Sequence, residues 1–203
     1  MDMKTLFAPG CALRAYKPHL VHKMMAFLTE RGLAEGEYLP CCKTPQSMEE
    51  ETVLVTCCPG CSHKFGTAFP HVTPVSLWKT LLDTDFPFPD YHGQKMTIHD
   101  ACHARHRNSS EMQAAARALC GRMNIELVEP ACTLDDTRCC GGSAPDFEMR
   151  QEMALRRAMD FPEENVVVYC TGCVRSFSLT PVHPRHLLDL LFEEPTEGLT
   201  VKR

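Results

Sequence analysis

The chain has 203 residues, of which 44% are hydrophobic and 23% are charged, with a formal net charge of -5. This size allows one sizeable core or two smaller ones, and the slight acidity argues against a nucleic-acid partner. No apolar run reaches the roughly 18 residues of a membrane helix, and residues 1–13 lack the features of a signal peptide. The sequence therefore predicts a cytoplasmic protein with no membrane span.

Short apolar runs predict buried strands, and longer runs with helical spacing predict helices between them. The predicted strands are residues 5–8, 53–56, 96–99 and 166–169. The predicted helices are residues 17–31, 110–123 and 146–159, with two more, 74–82 and 184–192, that each begin at a proline. The alternation predicts an α/β fold in two pseudo-symmetric repeats, each a small, mostly parallel sheet with flanking helices.

The cysteines reveal the repeat. Ten of the 13 follow one order twice, a single cysteine, then a vicinal pair, then C-x-x-C. The two sets are Cys11, Cys41, Cys42, Cys58 and Cys61, then Cys102, Cys139, Cys140, Cys170 and Cys173. The Pro- and Gly-containing segment 83–94 is interpreted as a linker, which divides the chain into repeats 1–93 and 94–203. The first repeat is shortened, because it lacks a stretch that corresponds to the predicted helix 146–159.

This pattern favours a metal cluster over a disulfide framework. The number of cysteines is odd, no export signal is recognised, and the chain is too long to need covalent staples. Soft thiolates select zinc, copper(I) or iron–sulfur clusters, and five per set exceed the four that zinc accepts. Adjacent side chains diverge along an extended backbone, so a vicinal pair suits a cluster whose several irons take the two sulfurs separately.

The doubled motif resembles the CCG cysteine-rich domain family, as found in heterodisulfide reductase. The second half carries the resemblance most fully. Its matching segments are His99-Asp100-Ala101-Cys102-His103, Cys139-Cys140-Gly141-Gly142 and Cys170-Thr171-Gly172-Cys173. The resemblance implies that each set of five cysteines ligates one noncubane [4Fe-4S] cluster. It further implies an oxidoreductase acting on sulfur groups, which cleaves or forms a disulfide, or performs related thiol chemistry, at these clusters.

The partners follow from the same resemblance. The substrate would be a small thiol or disulfide. The chain has no cubane ferredoxin segment, so electrons would come from a separate ferredoxin-like or flavoprotein donor. The alternative function is a non-catalytic subunit that relays electrons between such a donor and another redox protein. A zinc-stabilised scaffold is the third interpretation, which the ligand number and the vicinal pairs disfavour.

A few residues outside the cysteine sets are also of interest. His99 and Asp100 are predicted to bind the cofactor through hydrogen bonds to sulfur. Arg105 and Lys43 are candidate contacts for an anionic group of the substrate. Lys43 also stands where the family motif has glycine, which leaves open whether the first site holds the same type of cluster.

Three cysteines fall outside the two sets. Cys57, directly before Cys58, is an alternative ligand at the first site. Cys120 and Cys132 are interpreted as small packed side chains.

Overall fold

The computed structural model describes residues 3–48, 51–105 and 109–198. They form two compact units, Met1–Asp85 and Phe86–Arg203. Each unit has its own four-stranded, all-parallel sheet with flanking helices, which confirms the predicted α/β fold with two similar halves. Within the described ranges, no helix is both long enough and apolar enough to cross a membrane.

The first unit alternates strands and helices. Its strands are β1 (Lys4–Ala8), β2 (Gly36–Glu37), β3 (Thr52–Thr56) and β4 (Val72–Ser76). Its helices are α1 (Cys11–Tyr16), α2 (Pro18–Glu30), α3 (Pro59–Ala68) and α4 (Leu77–Leu82). The sheet order is β2-β1-β3-β4, and every pair of neighbours is parallel. The carboxyl ends of the strands therefore meet at one edge of this sheet.

The second unit repeats this plan. Its strands are β5 (Gln94–His99), β6 (Ile125–Leu127), β7 (Asn165–Val168) and β8 (His183–His186). Its helices are α5 (Ser109–Arg122), α6 (Phe147–Ala158), α7 (Thr171–Phe177) and α8 (Leu187–Leu191), with 3-10 helices at Cys102–Arg105 and Leu134–Asp136. The parallel order β6-β5-β7-β8 has the same sequence of connections as the first sheet.

Strand register makes the two units comparable residue by residue. The last residues of three strands pair across each sheet, as Ala8–Thr56–Ser76 in the first unit and His99–Val168–His186 in the second. The position of His99 in the second unit is therefore taken by Ala8 in the first. By the same alignment, Pro9 corresponds to Asp100.

Burial of the central strands explains their apolar sequences. Val166, Val167 and Val168 of β7 are fully buried, and so is Leu54 of β3. Continuous apolar runs, rather than alternation, are typical of parallel strands covered on both faces. In the first unit, Cys42 and Cys58 pack against the core cluster that contains Leu54, so the cysteine site adjoins the core.

The two prolines predicted to start helices lie in strands instead. Pro74 belongs to β4 and Pro184 to β8, and the helices begin later, at Leu77 and Leu187. Both strands are at an edge of their sheet. A proline is tolerated there because its missing N–H costs no hydrogen bond with an outer neighbour.

Residues 86–93, counted with the first repeat in the sequence analysis, pack within the second unit. The Tyr91 N–H donates to the Met123 carbonyl at 2.8 Å, and the Tyr91 hydroxyl donates to the Leu190 carbonyl at 2.9 Å. Phe86 makes an edge-to-face contact with Phe192, with ring centroids 5.7 Å apart. These contacts explain why the second unit begins at Phe86.

Candidate metal centres

The second cysteine set assembles where strands of the second sheet end. Cys102 opens the 3-10 helix that follows β5, and Cys170 is the N-cap residue of α7, which follows β7. Cys173 lies in the first turn of α7. Cys139 and Cys140 precede α6 in a loop. Three separate segments of the chain thus supply the five thiols.

The five thiols of this set are joined by a continuous series of contacts. The sulfur atoms of Cys102 and Cys139 are 3.6 Å apart, and those of Cys140 and Cys173 are 3.2 Å apart. Hydrogen bonds between Cys139 and Cys140, and between Cys170 and Cys173, complete the group. All five are free thiols. Their separations exceed the roughly 2.05 Å of a disulfide bond.

Gly141 shapes the loop that carries the vicinal pair. Its φ of 78° lies in the left-handed region, and its N–H donates to the Cys139 sulfur at 3.3 Å. A Cβ atom on Gly141 would lie 2.8 Å from the Arg150 carbonyl oxygen and 2.9 Å from Met153 Cβ. The glycine is therefore required by both conformation and space.

The thiols of the second set perturb one another's protonation. Hydrogen bonds with Cys102 and Cys140 hold the pKa of Cys139 far below its ordinary value. The same contact with Cys139 raises the pKa of Cys102, and it raises that of Cys140 to about 12. Five adjacent thiolates would repel one another without a positive group between them. A metal group supplies that charge and displaces the protons, so the donor set fits one.

His99 adjoins this set. One of its ring nitrogens and the sulfurs of Cys140 and Cys173 lie within 4.8 Å of one another, and all three residues are buried. Burial, followed by the charge of Arg157, lowers the pKa of His99 to about 3, so the imidazole is neutral. The buried Nε2 atom has no hydrogen-bond partner among the described residues. A group bound by the thiols would offer it one.

Asp100, the second residue predicted to bind the cofactor, belongs to a buried hydrogen-bond network at the end of β5. Its carboxylate is fully buried and receives a bidentate pair of hydrogen bonds from Arg117, at 3.0 and 2.8 Å. The Tyr169 hydroxyl donates to it at 2.9 Å, and the Leu134 N–H at 2.7 Å. Thr137 donates to the Asp100 carbonyl. Asp100 thus ties the segment before the vicinal pair to the end of β5, and positions those thiols indirectly.

The first cysteine set is arranged in the same way. Cys11 opens α1 after β1, Cys58 is the N-cap residue of α3 after β3, and Cys61 lies in α3. The Cys11 and Cys41 sulfurs are 3.4 Å apart, and Cys61 forms hydrogen bonds with Cys42 and Cys58. Cys11 is exposed, whereas the other four are buried or half-buried. The five free thiols of the first unit therefore also converge on one place.

In the first set, the lowered pKa belongs to a different member of the vicinal pair. The hydrogen bond with Cys61, helped by the charge of Lys64, lowers the pKa of Cys42 to about 6. The same bond raises the pKa of Cys61. The acidic member of the vicinal pair is thus the second cysteine here, and it is the first cysteine, Cys139, in the other unit. Each set thus contains a thiol with a lowered pKa, and it is the deprotonated form of a thiol that binds a metal group.

The sequence profile of the CCG family, a cysteine-rich domain, matches residues 96–178. This stretch is similar to a CCG domain. It contains all five cysteines of the second set, and the match confirms the resemblance inferred from their spacing. No curated protein and no solved structure gives a significant match to the chain.

The structure explains why the first unit differs from the second at two positions, Lys43 and Cys57. Lys43, which replaces the motif glycine, does not have the positive φ of Gly141, so glycine is not required there. The buried Cys57 thiol donates to the Pro9 carbonyl at 3.0 Å. Cys57 occupies the position of Tyr169 and, like it, forms a hydrogen bond with the residue that follows the neighbouring strand of its sheet.

The remaining candidates are placed as follows. The Lys43 side chain is exposed at the turn after the first vicinal pair. Arg105 belongs to the 3-10 helix, but its side chain, like residues 106–108, lies outside the described part of the chain. Cys120 is fully buried, and burial raises its pKa to about 12, as expected for a packed thiol. Cys132 is half-buried.

The residues that support the second cysteine site do not stand out in the sequence. Arg117, Tyr169 and Arg157 reach Asp100 or His99 only through the tertiary fold. For Arg157 a signal existed, because it falls three residues after Ala154, on the buried face of α6. A charged residue on the apolar face of a helix usually has a specific buried partner.

Proposed function

We propose that this protein is an iron–sulfur redox protein that holds one noncubane [4Fe-4S] cluster in each unit. The observation that supports this proposal is the convergence of five free thiols in the second unit and of five more in the first. In this proposal the first unit is a shortened CCG-like repeat. The ligands are the two sets defined above, with Cys57 outside the first set.

The thiol number supports a cluster rather than a single ion. Zinc accepts four ligands, whereas each set offers five. Within the second set, contacts run continuously from Cys102 through Cys139, Cys140 and Cys173 to Cys170, so the thiols are not divided into separate small sites. Such a cluster, when bound, supplies one-electron transfer and an iron to which a substrate sulfur can attach.

The proposed reaction is the reductive cleavage of a small disulfide, or its reverse. Two electrons and two protons convert one disulfide into two thiols, and the electrons come from a separate ferredoxin-like or flavoprotein donor. Partial exposure of the ligands supports access by a small substrate, since Cys11 is exposed and Cys41, Cys102 and Cys139 are half-buried. Lys43, and Arg105 in the second unit, are proposed to attract an anionic substrate group.

The test uses the full chain, purified without oxygen and loaded with iron and sulfide. We expect addition of glutathione or 2-mercaptoethanol to the oxidised protein to change the electron paramagnetic resonance spectrum of the clusters. We also expect reduction of the matching disulfide when reduced methyl viologen supplies electrons. The control is the Cys139→Ser/Cys140→Ser variant, which should lose most of this activity.

The opposite result separates catalysis from electron relay. A loaded protein that exchanges electrons rapidly with a reduced ferredoxin, but whose spectrum no thiol changes, would overturn the disulfide proposal. It would favour the electron-transfer function instead. A chain that binds zinc and no sulfide would overturn both.

A further inference from the structure

His99 is held in one orientation by its surroundings. It is fully buried at the end of β5, and its ring makes edge-to-face contacts with Phe161 and Phe177, at centroid distances of 5.9 and 4.9 Å. The Arg157 Nε–H donates to His99 Nδ1 at 3.3 Å. A ring nitrogen that accepts a hydrogen bond carries no proton, so the proton of the neutral imidazole resides on Nε2.

Arg157 is itself fixed. It is only 1% exposed, and its other two nitrogens donate to Asp160 at 3.2 Å and to the Cys132 carbonyl at 2.7 Å. Its guanidinium stacks on Phe161, 4.6 Å from the ring centroid. Because every nitrogen has a partner, the guanidinium cannot turn away, and Nε remains directed at His99.

The donor that this arrangement creates belongs to a residue that adjoins the cysteine site. Nε2 of His99 is buried without a hydrogen-bond partner among the described residues, and His99 forms a compact group with Cys140 and Cys173. Burying an N–H group without an acceptor is unfavourable, so a partner for this donor is expected when the site is loaded. Sulfur atoms of a bound cluster are the acceptors that this place would offer.

We propose that Arg157 is a positioning residue that fixes the tautomer of His99, so that Nε2–H donates a hydrogen bond to sulfur at the second cluster. This inference rests on the proposed function. Reduction adds negative charge to a cluster, and a hydrogen bond to its sulfur stabilises the reduced form. The second cluster should therefore have a more positive reduction potential than it would without His99, and should be reduced more readily.

The first unit has no counterpart of His99 or of Arg157 among its described residues. Ala8 stands at the position of His99, and it offers no donor. The helix α6, which delivers Arg157, has no counterpart in the shorter spacer between Cys42 and β3, where residues 43–48 and 51 contain no helix. The extra helix of the second unit thus acquires a function, and the two clusters of one chain are expected to differ in potential.

The test is a potentiometric titration of the cluster-loaded full chain, followed by electron paramagnetic resonance. Arg157→Met should shift one of the two reduction potentials to a more negative value and leave the other unchanged, so the first cluster serves as an internal control. Arg157→Lys retains the charge but removes the Nε donor, and should shift the same potential in the same direction. It also covers the case in which the methionine variant fails to load.

A second pair of variants separates positioning from a direct effect of charge. His99→Gln retains an N–H donor that needs no tautomer selection, so its potential should stay near that of the wild type. In that background, Arg157→Met should produce little further shift. An equal shift in both backgrounds would show that Arg157 acts through its charge alone, and would overturn the inference.

The failure of this inference is distinguishable from that of the proposed function. Unchanged potentials in loaded Arg157→Met and Arg157→Lys variants would overturn the positioning role, while the iron content upholds the cluster assignment. Absence of iron and sulfide from the wild-type chain would overturn both. Absence of disulfide reductase activity in a loaded chain would leave the predicted shift of potential in force.

Discussion

The two cysteine sites share a framework and differ in what supports it. Both lie at the carboxyl ends of strands in parallel sheets with the same connections, and both gather five free thiols. Around the second site, a buried polar network replaces the smaller residues of the first. The corresponding pairs are Ala8 and His99, Pro9 and Asp100, and Cys57 and Tyr169. In the loop of the vicinal pair, Lys43 of the first unit corresponds to Gly141.

This difference distinguishes the elements that bring the thiols together from the hydrogen-bond network that surrounds them in the second unit. Strand ends, helix N-termini and a vicinal pair suffice to assemble five sulfurs, since the first unit does so without the polar network. The additional contacts of the second unit hold the segment before its vicinal pair and fix the His99 ring beside its thiols. Variants that affect one site and spare the other can test this division.

The largest expected effect is the loss of one site at a time. Cys139→Ser/Cys140→Ser should remove the second cluster and Cys41→Ser/Cys42→Ser the first, each lowering the iron content by about half. The measurement is iron and acid-labile sulfide per chain after anaerobic purification. If either double variant kept its full iron content, its vicinal pair would not ligate a cluster.

The next effect concerns Asp100, whose counterpart Pro9 carries no charge. Asp100→Asn should weaken the second unit by about 1–3 kcal/mol, because the buried donors Arg117 and Tyr169 lose a charged acceptor, while Glu129 still pairs with Arg117. The urea concentration that bleaches the absorbance of the second cluster reports the loss. Pro9→Ala is the matched control and should change it little. An unaltered midpoint in Asp100→Asn would contradict the proposed role of the network.

The same carboxylate gives a pH dependence of known sign. Burial opposes its ionisation, but the hydrogen bonds from Arg117 hold the pKa of Asp100 below its ordinary value. Its contribution is therefore present above the unfolded pKa of about 3.9 and is lost as the pH falls through the folded pKa. The stability difference between the wild type and Asp100→Asn should be constant near neutrality and should shrink below about pH 4. A difference that grew towards low pH would refute this assignment.

The smallest effects compare Gly141 with Lys43. Gly141→Ala should cost at least about 1–2 kcal/mol from its left-handed backbone, with further cost from the close Arg150 and Met153 contacts. Lys43→Gly restores the family motif but should change stability by no more than about 0.5 kcal/mol. Urea denaturation and iron content measure both. Equal effects of the two variants would contradict the explanation given for Lys43.

Much of this architecture could be predicted from local sequence. The strands before the cysteines are buried apolar runs, and the helices at 17–31, 110–123 and 146–159 have clear helical spacing. The short edge strands β2 and β6 were missed, since two or three residues give no periodicity. Pro74 and Pro184 were predicted to start helices, although they lie in strands. A strand accepts a proline when it is at the edge of a sheet, and only the assembled sheet shows which strands are at its edges.

The supporting network could not be predicted in the same way. The cysteine sets are visible because their spacing is a local and repeated pattern. The contact of Arg157 with His99 spans 58 residues, and that of Tyr169 with Asp100 spans 69. Such pairs are brought together by the order of the strands. A single arginine or tyrosine in the sequence does not indicate which distant residue it will contact.

The central claim is that one chain carries two iron–sulfur sites, one in each unit. Quantification of iron, acid-labile sulfide and zinc in the full chain, purified without oxygen, tests it most directly. The account predicts about eight irons and about eight sulfides per chain, which corresponds to two four-iron clusters. About four irons would leave a single site, and zinc without sulfide would contradict the account.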